Sequence, residues 1–171
     1  MKKLRLATVW LDGCSGCHMS FLDMDERILA LAEKFEVVYS PLVDAKEFPE
    51  GVDVALIEGA VASDEDRAKL RLIRERTKTL VSMGDCAITA NVPGMRNAFG
   101  VKAVLERGYG RADAVTGVPA LLARAVPAHE VVAVDAFIPG CPPSAETIEF
   151  ALAELAAGRV PEMAMRSRFG A

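Results

Sequence analysis

Short apolar runs, many of them β-branched, alternate with longer segments whose apolar residues recur at helical spacing. Nothing else in the chain restricts its fold as strongly. The runs cover residues 4–10, 36–40, 52–57, 79–83 and 131–138. Strands that are apolar on consecutive positions suit a sheet covered on both faces, and strands separated by helices pair in parallel. Residues 20–34 carry Phe21, Leu22, Met24, Ile28, Leu29 and Leu31 at helical spacings. Residues 64–78 open with Asp64, Glu65 and Asp66 and close with Arg74, Arg76 and Lys78, the order a helix dipole favours. Helices are also expected over 95–105 and over 144–157, the latter with Ser144 as N-cap. Residues 108–130 fit no single element, because Gly110, Gly117, Pro119 and Pro127 interrupt them. The expected fold class is α/β: a flavodoxin-like, doubly wound, mostly parallel five-stranded sheet with helices on both faces. One domain is expected over 1–160, with 161–171 as a C-terminal tail.

Composition excludes several classes of function. With 171 residues, 51% of them hydrophobic and 26% charged, the chain can bury a core and is not a disordered segment. A net charge of −4 and a content of 1 Trp, 2 Tyr and 7 Phe offer little to a phosphate backbone or to stacked bases, so no nucleic-acid partner is expected. No run approaches the roughly 18 to 20 apolar residues that span a bilayer. Two lysines precede the first apolar run, but Arg5 interrupts it and no small-residue cleavage site follows, so it reads as a strand and not as a signal peptide. A cytoplasmic protein with reduced thiols is therefore expected.

The four cysteines are Cys14, Cys17, Cys86 and Cys141. Cys14 and Cys17 follow the first expected strand, Cys86 the fourth and Cys141 the fifth. In a doubly wound sheet, that edge is where ligands bind. Gly13, Gly16, Gly84 and Gly140 flank them, and glycine lets backbone N–H groups approach an inorganic group closely. Pro142 and Pro143 follow Cys141 and stiffen its turn. Three chemistries fit. A [4Fe–4S] cluster takes four thiolates, leaving none over. A C-x-x-C pair between strand and helix matches thiol–disulfide oxidoreductases, but leaves Cys86 and Cys141 unexplained. Structural zinc also takes four cysteines, although usually as two close pairs, and only one close pair is present. Buried, inert cysteines are the plain alternative.

The stretches LDGCSGCHMSFLD, IEGAV, MGDCA and PGCPP resemble the small subunit of nickel–iron hydrogenases, which is similar in turn to the cluster-bearing 20-kDa-type subunit of respiratory NADH–quinone oxidoreductase. Two residues separate the first cysteines, where the respiratory relative has them adjacent. The phrases CHMSFLDMDE and GDCAITANVPGMRN look most like soluble, bidirectional NAD(P)-linked hydrogenases. Exported relatives carry a twin-arginine signal and a second cysteine-rich region, neither of which is expected here.

The resemblance implies that Cys14, Cys17, Cys86 and Cys141 hold the proximal [4Fe–4S] cluster in a single iron–sulfur domain. It implies that the chain relays electrons between the Ni–Fe site of a large subunit and a diaphorase moiety. FMN and NAD(P) are then expected on flavin and iron–sulfur partner subunits. No G-x-G-x-x-G is present, and DGCSGC replaces the Ser/Thr/Gly-rich phosphate loop that bound FMN would need. The resemblance also leaves room for a cluster subunit of another hydrogenase or of an NADH–quinone oxidoreductase-like complex. Many relatives place Ser or Thr and then a proton-transferring Glu after the second cysteine; His18 and Met19 stand there instead.

Among the remaining residues, Glu58 is expected near the site, hydrogen-bonding the loop or lining a partner interface, with a structural cap as the alternative. His18 is a candidate for tuning the cluster or relaying protons, with a helix-start residue contacting backbone as the plainer role, and Asp12 is expected as a loop residue. Met19, Met24, Met83 and Met95 are candidates for an apolar contact surface, with core packing as the plainer role.

Overall fold

The computed structural model describes residues 2–111, 116–164 and 166. The order of elements follows the expected alternation. β1 (Leu4–Trp10) leads into α1 (Gly16–Leu22), α2 (Arg27–Lys34) and β2 (Phe35–Tyr39). β3 (Val52–Glu58), β4 (Val61–Ser63), α3 (Asp64–Arg76) and β5 (Thr77–Met83) come next. They are followed by α4 (Asp85–Thr89), α5 (Asn91–Gly94), α6 (Gly100–Tyr109), β6 (Leu121–Val126), β7 (Ala136–Ile138) and α7 (Ala145–Ala156).

Five strands form one sheet in the order β2-β1-β3-β5-β7, and every pairing is parallel. Counted along this sheet alone, the order is second, first, third, fourth, fifth, which is the flavodoxin-like doubly wound arrangement. Alternate residues of each strand enter different cores. Leu6, Leu56, Val81 and Ile138 pack with Met24, Leu31, Ile148 and Leu152 on the face covered by α2 and α7. Val9, Ala55, Ile57 and Leu80 pack with Leu70 and Ile73 of α3 on the other. Burial on both faces is why the strands read as continuous apolar runs.

The α3 helix keeps the polarity seen in its sequence and gains a capping box. Ser63 Oγ accepts from the Asp66 N–H at 3.0 Å, and Asp66 Oδ2 accepts from the Ser63 N–H at 2.9 Å. Ser144 caps α7 as expected, accepting from the Thr147 N–H at 3.3 Å.

Several boundaries differ from expectation. The helix expected over 20–34 is two helices. Asp25 takes a left-handed φ of 49°, and the break turns Met24 into the core, where it is 0% exposed. The strand expected over 131–138 pairs only at Ala136–Ile138. Before it, a turn over Ala128–Glu130 holds the Val131 and Val132 N–H groups on the Ala128 carbonyl, and the Asp135 carboxylate takes the Leu80 N–H at 2.7 Å. The helix expected over 95–105 divides at Gly100, whose φ of +77° a continuous helix excludes. The third helix ends at Arg76 because Thr77 is already extended and pairs with Val52. Within 108–130, β6 pairs antiparallel with β4 in a separate two-stranded sheet.

Of the expected tail, residues 165 and 167–171 lie outside the described residues. The rest packs down: Met163 is 7% exposed, and the Arg166 guanidinium lies 3.8 Å from the centre of the Phe150 ring.

Candidate metal centre

Trp10, Glu58, Met83 and Ile138 form one in-register row across β1, β3, β5 and β7, at the carboxyl ends of those strands. All four cysteines lie just beyond this row. Cys14 sits in the loop after β1, and Cys17 in the first turn of α1. Cys86 and Cys141 each come three residues after the row, following Met83 and Ile138. The sheet thus converts three distant sequence positions into one edge. Cys17 and Cys86 are buried, Cys14 and Cys141 are exposed, and none is in a disulfide.

The loops that carry them are tied to one another. The Gly84 N–H donates to the Ile138 carbonyl at 2.8 Å and the Asp85 N–H to the Gly140 carbonyl at 2.9 Å. Asp85 Oδ1 returns the link by accepting from the Gly140 N–H at 2.8 Å. Ser20 Oγ of α1 donates to the Pro143 carbonyl at 2.5 Å, joining the first cysteine helix to the Cys141 loop. The backbones of Asp12 and Ala60 exchange hydrogen bonds of 3.0 and 2.6 Å, which fixes the loop leading to Cys14.

Glycine is required where these loops meet. A Cβ on Gly84, at φ +84°, would lie 2.2 Å from Cys17 Sγ, and one on Gly16 would lie 3.2 Å from Cys14 Sγ. N–H groups reach sulfur directly, among them the Gly16 amide at 3.4 Å from Cys14 Sγ and the Asn91 side-chain amide at 3.4 Å from Cys141 Sγ. Sequence reasoning missed Asp85, Asn91 and Ser20. The GDCA stretch named the right loop but gave no sign of what its aspartate binds.

The electrostatics oppose free thiolates. Burial pushes the Cys17 thiol up, and the Glu58 carboxylate and the other three cysteines push it further. Burial also raises Cys86; a bond from the Val92 N–H works against this, while Cys141, Cys14 and Glu58 add to it. Positive charge beside these two buried sulfurs, such as a metal centre provides, favours their thiolate forms.

His18 is not the backbone-contacting residue its position suggested. It is 1% exposed, and its Nδ1 pairs with Glu58 Oε2. Its ring meets Trp10 edge-to-face, with centroids 5.4 Å apart. Glu58 takes the structural role, as a cap: it accepts from the Cys17 N–H at 3.2 Å and the His18 N–H at 3.0 Å. The methionines divide between the two expected roles. Met24 and Met83 are core residues, whereas Met19 and Met95 are exposed. A cavity of about 570 Å³ opens beside Leu11, Asp66, Leu105 and Leu121, and no cysteine lines it.

The profile of a family described as NADH ubiquinone oxidoreductase, 20 Kd subunit, matches residues 14–155. The chain is 42% identical to the NAD-reducing hydrogenase HoxS subunit delta of Cupriavidus necator, over 92% of this chain and 80% of that protein. It is 31% identical to the sulfhydrogenase 2 subunit delta of Pyrococcus furiosus, spanning 92% of this chain but only 64% of the relative. Among solved structures, a chain of an NAD+-reducing [NiFe]-hydrogenase in the H2-reduced state superposes with a TM-score of 0.90 at 41% identity, covering 98% of both chains. A [NiFeSe]-hydrogenase chain of Dm. baculatum shares the fold, with a TM-score of 0.61 at 18% identity over 92% of this chain and 62% of that one.

Proposed function

The chain belongs to the NADH ubiquinone oxidoreductase 20 Kd subunit family, and from that premise we propose that it is the electron-transfer small subunit of a cytoplasmic, NAD(P)-linked [NiFe] hydrogenase. Its iron–sulfur domain, over residues 1–160, carries one proximal [4Fe–4S] cluster on Cys14, Cys17, Cys86 and Cys141. A large subunit bears the Ni–Fe site, and diaphorase subunits bear FMN and NAD(P). When bound, the cluster supplies one-electron transfer between those two partners.

The observation that carries this reading is the convergence of four unpaired cysteines on the carboxyl edge of one sheet, around glycines that leave no room for a Cβ. The donor set fits the group. Sulfur-directed N–H groups come from Gly16 and Asn91, and such bonds tune a cluster's potential. Cys17 and Cys86 are buried away from water, while Cys14 and Cys141 are exposed and accessible to a partner. Met19, Val92, Met95 and Phe99, all more than half exposed, supply apolar surface on α1 and the segment after α4. We assign this surface to the large subunit.

Structural zinc usually takes two close cysteine pairs, and Cys14 with Cys17 is the one close pair in the sequence. Disulfide exchange needs an activated thiolate, and burial beside Glu58 works against one at Cys17. Also among the described residues, no helix is long and apolar enough to cross a membrane.

Anaerobic expression and purification tests the reading. The expected product is brown, with about four iron and four acid-labile sulfide per chain and a broad absorption near 400 nm. Zinc in place of iron, or absence of sulfide, overturns it. Co-purification from the native source tests the partners: a Ni-containing subunit together with flavin and iron–sulfur subunits is expected, and a chain isolated alone contradicts the assignment.

A further inference from the structure

Glu58 is a buried carboxylate, 3% exposed, at the end of a central strand. A carboxylate in that position is costly to bury unless it is fully partnered. Its partners all lie on α1. Oε1 accepts from the Cys17 N–H and Oε2 from the His18 N–H, while the His18 imidazole closes on Oε2 from the side. The first turn of α1 has no cap of its own: Ser15 sits at φ 66° and its side chain makes no capping bond. The cap for this turn comes from a different strand.

The mechanical consequence follows from where β3 lies. Glu58 pairs with Trp10 on one side and Met83 on the other, so its backbone is held by both neighbouring strands. Its carboxylate passes that fixed position to the turn bearing Cys17. His18 is buried with Nε2 unpartnered, so Glu58 provides the one hydrogen bond its ring makes among the described residues. The ring is braced against Trp10. A braced imidazole restricts the orientation of the carboxylate it bonds.

We propose that Glu58 is a positioning residue of the cysteine centre: its two amide hydrogen bonds hold Cys17 at the sheet edge, and His18 locks the carboxylate in place. This rests on the iron–sulfur reading above. Removing a hydrogen-bond partner that orients a metal ligand typically costs about 10- to 100-fold in metal affinity.

The test uses the full chain, purified anaerobically as wild type, Glu58→Ala, Glu58→Gln and His18→Gln. Three quantities are measured: the rate of iron release to a chelator, the EPR spectrum of the reduced protein, and the thermal unfolding of the iron-free protein. Glu58→Ala is expected to release iron at least about tenfold faster, with altered EPR g values. Glu58→Gln keeps one acceptor oxygen, so it is expected to fall between Ala and wild type. His18→Gln is expected to change the EPR spectrum in the same direction by less. If Glu58→Ala does not fold, Glu58→Gln decides. Wild-type spectra and release rates in the folded Glu58 variants overturn the proposal. Faster release with an unchanged spectrum, matched by an equal loss of iron-free stability, also overturns it, since that pattern marks general destabilisation. A wild-type chain without iron and sulfide overturns the cluster reading, and this proposal with it; a normal wild type with indifferent variants overturns the positioning role alone.

Discussion

At Gly84 the backbone turns through φ +84°, and the site of a missing Cβ lies 2.2 Å from Cys17 Sγ. Two demands meet at one residue: a left-handed conformation, and contact with a sulfur from a different loop. Gly84→Ala therefore displaces Cys17 and adds backbone strain of about 1–3 kcal/mol. Its iron content is expected to fall clearly below wild type, and its denaturant midpoint to drop. Full iron occupancy in that variant would show that the tight contact is not needed. The sequence pointed to this glycine because it stands beside a cysteine, but not to the sulfur it meets. The same holds for Glu58 and His18. IEGAV and CHM marked both residues, while their pairing spans 40 positions and exists only because β3 lies beside β1. Asp85 and Asn91 went unread because an aspartate or asparagine near a glycine is ordinary loop chemistry in any sequence.

Among the elements, two carboxylates hold strands where the backbone ladder is incomplete. Asp53 accepts from the Arg5 N–H of β1 at 2.9 Å and from Lys78 at 2.6 Å. Asp135 accepts from the Leu80 N–H of β5 and from Arg74 at 2.6 Å. Burial alone would raise both carboxyls, but these bonds hold each below its ordinary value of 3.8. A carboxyl lowered by folding stabilises the native state above its unfolded pKa, and that contribution is lost as pH falls through the folded value. Stability is thus expected to decline as pH drops below about 4. Asp135→Asn should be less stable than wild type at neutral pH, and the gap should narrow in acid. Urea titrations across that range check this; a gap independent of pH would discount the ionic part. Element type was legible wherever an apolar pattern ran long, as in β1, α3 and α7. Boundaries were not legible where a side chain competes with the ladder, as Asp135 does before β7. Nor were they legible where one residue leaves helical φ, as at Asp25 and Gly100.

For the whole molecule, the proposed cluster joins the ends of β1, β5 and β7, three of the five strands of the sheet. Metal bound only by the native state stabilises it by linkage. Removal of iron and sulfide by chelator and oxidant, followed by reduction of the thiols, is expected to lower the unfolding temperature by several degrees, with secondary structure largely retained. The two core faces remain packed without the edge loops, which predicts that retention. Circular dichroism before and after chelation measures both effects. Identical melting curves would mean that the cysteine edge contributes nothing to the stability of the sheet.

The sequence by itself determined the alternation of strands and helices, the parallel sheet it implies, and the four cysteines together with the strand ends they follow. These are local properties, set by the period of apolar residues and by glycine and proline punctuation. Only the tertiary structure decided which loops touch. It set Glu58 beneath Cys17, paired His18 with a carboxylate instead of backbone, and brought Gly84 against a sulfur 67 positions away in the chain. Those contacts depend on strand order and register, and no local pattern encodes either one.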